Sequence, residues 1–145
     1  MRSLILTLFV AAPTAWAQQP PLPMVELGAG MHIIRAEVAD SFSSRAQGLM
    51  RRTSLPPNGG MLFLFDEDGT HCMWMKNTLI PLSVAFIDAQ GAIINIADMA
   101  PHSEQSHCAA RPARYALEMT QGWFAQRGIR AGVRLRGLAK APPPR

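Results

Sequence analysis

Apolar residues in this chain come in short runs, each cut off by Gly, Pro, Asn or Asp. MLFLF at 61–65, VAFI at 84–87, AIINI at 92–96 and RYALEM at 114–119 are the clearest. Runs of that length between turn residues read as strands rather than helices. MHIIRAEV at 31–38 and HCMWMK at 71–76 add two more, and 133–136 a last one. Asp88-Ala89-Gln90-Gly91 has hairpin chemistry, with Gly where positive φ is needed. Asp66-Glu67-Asp68-Gly69 reads as a turn.

Helical spacing is confined to two places. Asp40 or Ser41 can cap a helix to Arg51, with Phe42, Ala46, Leu49 and Met50 expected to face the core. Leu55-Pro56-Pro57-Asn58-Gly59-Gly60 breaks it. Thr120 can cap a second, anchored by Trp123 and Phe124 and stopped by Gly128. Roughly six or seven short strands with two short helices predict a mostly β domain: a compact antiparallel β-barrel or half-open barrel. At 145 residues the chain is too short for a TIM barrel, and 48% hydrophobic against 17% charged residues excludes wholesale disorder.

The ends fall outside that domain. Met1-Arg2, the apolar run 4–12 and Ala15-Trp16-Ala17 have the layout of a secretory signal peptide cleaved before Gln18. The run is shorter than the roughly 20 residues that span a bilayer, so no stable membrane span is expected after cleavage. Residues 18–23 (QQPPLP) read as a Pro-rich lead-in, 24–137 as the domain and 138–145 (LAKAPPPR) as a disordered tail. The location this predicts is periplasmic or secreted.

Trp74-Met75-Lys76-Asn77-Thr78-Leu79-Ile80-Pro81-Leu82, with Met61-Leu62-Phe63 before it and Phe86-Ile87-Asp88 after it, resembles the signature of domain-of-unknown-function family one-nine-two. The resemblance continues through Ala113–Met119 and Gly128–Gly132, and upstream through Arg45–Met50. It implies a compact, mostly β, often exported domain and no particular activity.

Chemistry is sparser. Two cysteines in an exported chain favour a disulfide, here between Cys72 and Cys108. It would tie the long segment 98–113 to the sheet and contribute about 4 kcal/mol at best. The alternative is a metal set of His71, Cys72, His107 and Cys108, or a softer copper set adding Met73, Met75, Met99 and His102. Adjacent strand residues point to opposite faces, which makes His71 and Cys72 poor co-ligands. Strand parity groups Cys72, Trp74 and Lys76, and the family signature centres on Trp74, Lys76 and Asn77, which makes these a candidate ligand site. Arg114 and Glu118 share a strand face with Ala116 and join the candidate set if that face lines a pocket. His102 and His107 are possible acid–base groups.

No Gly-x-Ser-x-Gly setting and no phosphate-cradling Gly loop occurs, so no cofactor is expected. Arg127, Arg130, Arg134 and Arg136 lack interleaved aromatics, which argues for a solvated face and against nucleic acid. The expectation is a monomeric binding module for a small ligand or an envelope protein. A periplasmic metal handler and a cell-envelope hydrolase are the alternatives.

Overall fold

The computed structural model describes residues 21–145. The expected signal peptide at 1–17 and the first part of the lead-in lie outside the described residues. Strands dominate, at 43% against 10% helix. Seven of them form one curled sheet. In chain order the elements are β1 (Met24–Ala29), β2 (His32–Ala39), α1 (Phe42–Gln47), β3 (Gly59–Gly69), β4 (Cys72–Met73), β5 (Leu82–Ile87), β6 (Ile93–Met99), β7 (His107–Cys108), β8 (Ala113–Thr120) and β9 (Leu135–Arg136). The large sheet runs β6-β5-β8-β3-β2-β1-β9, and β4 and β7 pair separately.

The sheet curls until its two edges touch at one end. Ala92 bridges Arg134, and Ile93 exchanges backbone hydrogen bonds with Gly132 and Val133. This is the half-open barrel expected from the strand pattern. It departs from that pattern at the β2–β3 pair, which is parallel. A parallel pair needs a long crossover, and residues 40–58, which carry α1, supply it.

The alternation of the strands fills two cores. Leu27, Ile34, Leu62, Leu117 and Met119 point to the concave face, closed by Phe124 and Ile129. Met61, Phe63, Val84, Phe86 and Ala116 point to the opposite face, covered by Leu49, Met75 and Ala109. A Cβ on Gly60 would collide with the Glu118 carbonyl oxygen and Met119 Sδ, so only glycine lets β3 lie this close to β8.

Four expectations need correction. Phe42 and Ala46 do not face the core; Phe42 is 80% exposed. The helix is one short segment held by a Ser41–Ser44 capping box, and the chain reverses at Gly48 (φ 48°) before Leu49 inserts. The stretch 71–76 is not one strand, because pairing stops after Met73. Residues 66–69 extend β3, with a register shift, rather than forming a turn. The second helix is a single 3-10 turn, Ala125–Arg127, although Trp123 and Phe124 are buried and Gly128 ends it in the left-handed region.

Where the sequence suggests a tail, Leu138–Lys140 forms another 3-10 turn. Leu138 and Ala141 pack against the concave core, and Arg145 pairs with Asp40.

Candidate functional site

After β4 the chain makes a tight loop, 74–78, whose backbone is tied on both sides. Met75 N–H donates to Ser103 O at 2.8 Å, and His102 N–H donates to Thr78 O at 3.0 Å. Arg51 N–H donates to Asn77 O at 2.9 Å, with Asn77 in the left-handed region at φ 53°. Met75 is the plug that holds the loop down, fully buried in the second core. Trp74 on one side of it stays 47% exposed. Lys76 is exposed, with its Nζ 5.3 Å from the centre of the Trp74 ring. A cation–π contact of this exposed kind contributes only about 0.5–1 kcal/mol.

Behind Trp74 lies Glu118. Its cross-strand neighbours are Met61 on β3 and Val84 on β5, both apolar. Its side chain therefore points into the second core, and the residue is 3% exposed. Among the described residues no group donates a hydrogen bond to its carboxyl, yet neither oxygen is a sealed, partnerless atom. They open into a pocket of about 30 Å³ lined by Phe63, Met73, Trp74, Thr78 and the end of α1. Burial pushes the Glu118 pKa up from 4.5 to about 8, so the acid is neutral at pH 7. Arg45 also lines this pocket but is turned away, donating to Leu64 O at 2.9 Å and to Asp66 at 3.1 Å.

The five residues singled out in the sequence are thus only partly assembled. Trp74 and Glu118 share the pocket, and Lys76 lies over Trp74. Asn77 acts through its backbone. Arg114 pairs with Asp68 at 2.6 Å instead of with Glu118. Thr78 and Phe63 complete the lining and carried no sequence signal beyond their place in the motif. Thr78 is buried, and its hydroxyl donates to Lys76 O at 3.1 Å, which shapes the loop.

Cys72 and Cys108 are directly opposed on β4 and β7 and form a disulfide with a Cα–Cα distance of 4.0 Å. The long segment 98–113 is therefore tied down covalently. Bridged sulfurs carry no thiolate, which removes half of the alternative His71, Cys72, His107, Cys108 metal set. His71 is also engaged elsewhere, stacked on Phe65 at 3.7 Å with a ring nitrogen 2.9 Å from Glu67 O. Met75 and Met99 are buried and Met73 packs against the same core, while His102 sits in an exposed turn. Among the described residues no three His, Cys, Asp or Glu side chains come together as a metal site.

The molecule is a small disulfide-bonded β half-barrel with an acid-floored pocket under an exposed tryptophan. It belongs to the DUF192 family (Uncharacterized ACR), whose signature matches residues 25–137. Two crystal structures share the fold. One is of a candidate transcription regulator from Sinorhizobium meliloti 1021, 36% identical, TM-score 0.77, covering 83% of this chain and 98% of that one. The other is of a protein of unknown function from Novosphingobium aromaticivorans DSM 12444, 31% identical, TM-score 0.76, covering 88% and 99%. No curated protein matches the chain.

Proposed function

We propose that this protein is an exported binding module that takes a neutral polar group of a small ligand into the pocket beneath Trp74. The observation that carries the reading is Glu118: a buried acid, neutral at pH 7, whose oxygens face an opening rather than a protein partner. A neutral carboxyl both donates and accepts a hydrogen bond, which matches a hydroxyl or carboxamide. A pocket of about 30 Å³ admits one such group and no more. The ligand body then rests outside, against the exposed Trp74 ring. Export supports an envelope ligand, and the Cys72–Cys108 disulfide is the kind of bond that persists in an oxidising compartment. Cleavage before Gln18 is read out by the intact mass of the secreted chain.

Binding is favoured over the envelope-hydrolase alternative because the pocket lining holds no second carboxylate and no histidine or cysteine to act as base or nucleophile. The test follows the Trp74 indole N–H resonance during titration with N-acetylglucosamine and glucose (neutral) and with glucosamine and glucuronate (charged). The neutral sugars shift the resonance in the wild type and in Glu118→Gln, and lose the effect in Glu118→Leu. A response to the charged sugars alone, or to none of the four, defeats the proposal.

A further inference from the structure

The half-barrel has a seam, and a second site lies in it. β6 and the segment before β9 meet at Ala92 and Ile93. Towards the other end of β6 the segment 122–131 lies across the gap. A cleft of about 590 Å³ remains there, lined by Ser83, Ile96, Asp98, Phe124, Ile129 and Arg130 among others. That volume is typical of a small-molecule site.

Asp98 is the anomaly that directs the reading. β5 and β6 pair Ser83 with Asp98 and Ala85 with Ile96. Ala85 belongs to the concave core and Ile96 packs against it. Asp98 therefore occupies an inward-facing position at the barrel mouth, where packing alone would call for an apolar residue. Its carboxylate is oriented by Ser83, which is 1% exposed. Ser83 Oγ donates to Asp98 Oδ1 at 2.5 Å and accepts from Gly122 N–H at 3.0 Å. The carboxylate is thus pre-positioned, yet among the described residues no cation pairs with it.

Arg130 is the complementary case. Of the four clustered arginines, Arg127 stacks on Trp123 at 4.4 Å, Arg134 donates to Gln90 O and Arg136 to Gly30 O. The Arg130 guanidinium has no hydrogen-bond or ion-pair partner among the described residues, and Arg130 lines the same cleft as Asp98. Ile96, Phe124 and Ile129 supply an apolar floor.

We infer that the seam cleft binds an apolar α-amino acid, with its ammonium on Asp98, its carboxylate on Arg130 and its side chain on the Ile96–Phe124–Ile129 floor. This site shares no residue with the Glu118 pocket, so each can fail alone.

Calorimetric titration of the oxidised mature protein with L-leucine tests it, with N-acetyl-L-leucine and L-leucinamide as single-charge deletions. L-Leucine binds, and each deletion weakens binding about tenfold or more. Asp98→Asn and Arg130→Gln each weaken L-leucine binding by a similar factor. Both residues are exposed, and the amide oxygen introduced by Asp98→Asn still accepts from Ser83, so unchanged melting temperatures verify that the variants fold. Spectral shifts of the Gly122 and Ala125 amides place the ligand. No binding of L-leucine, equal binding of the acetylated form, or indifference to Asp98→Asn overturns the assignment.

Discussion

Replacing Glu118 by Gln removes one titration and nearly nothing else, because the amide keeps the volume and polarity of the neutral acid. In the unfolded chain the carboxyl ionises near 4.5, and in the folded protein near 8. Between those values the folded state holds a proton that the unfolded state has released, so stability falls as pH rises. The slope approaches about 1.4 kcal/mol per pH unit. Below about pH 4.5 both states are protonated and the residue contributes no pH dependence. Above about pH 8 both are ionised and the full cost of the buried charge is present. A shift from 4.5 to about 8 corresponds to at most about 5 kcal/mol. Urea unfolding of wild type and Glu118→Gln from about pH 4 to 9 measures this as a difference curve, which subtracts the titrations the two proteins share. Glu118→Gln is expected to be the more stable protein at about pH 8, by several kcal/mol, with the gap closing towards pH 4.5. A difference that is constant across the range, or that widens on acidification, refutes the placement of a neutral acid in the second core.

Other perturbations probe the scaffold. Replacing both cysteines by Ser frees a loop with sequence separation 36 and costs about 4 kcal/mol by chain entropy, read from denaturation midpoints; alkylation of the non-reduced wild type followed by mass measurement finds no free thiol. Asp88 is buried, and burial works to raise its pKa, but hydrogen bonds from Ala92 N–H, Arg111 and Gln90 N–H outweigh that and leave it below 3.8. Its stabilising contribution is therefore present above 3.8 and lost as pH falls through the lower folded value; Asp88→Ala costs about 1–2 kcal/mol at pH 7 and flattens the acid limb of the stability profile. Gly60→Ala forces β3 away from Glu118 and Met119 on β8 and costs about 3 kcal/mol, measured by the same denaturation series.

The parts of the fold that the sequence exposes are those set by local alternation. The parity of 114–119 puts Leu117 and Met119 on one face and Ala116 and Glu118 on the other, as the structure has them. Alternation says which face, not what covers it. The chain that covers Glu118 comes from 45–50, 63 and 73–78, far away in sequence, and a charged residue among apolar neighbours reads as solvated until those segments are placed. The β-rich composition of 71–76 favours a strand, but Met75 is drawn into the core and Asn77 takes a left-handed turn, which lifts Trp74 onto the surface. Tertiary packing overrode propensity there. Phe42 failed for the opposite reason: its spacing is amphipathic, but a helix this short is fixed by its cap and by Arg45 reaching the Leu64 carbonyl, with no need of its apolar face. In β1, MVELGA alternates cleanly in the structure, yet its Glu and Gly dilute the apolar signal below what a strand reading requires. The two candidate sites have the same origin. Glu118 and Asp98 are both acids set among apolar positions of an otherwise regular pattern, Glu118 on the second-core face and Asp98 at the mouth of the concave face. At buried Glu118 that position costs stability that no donor among the described residues offsets, while exposed Asp98 is held by Ser83 and keeps a free side for a ligand.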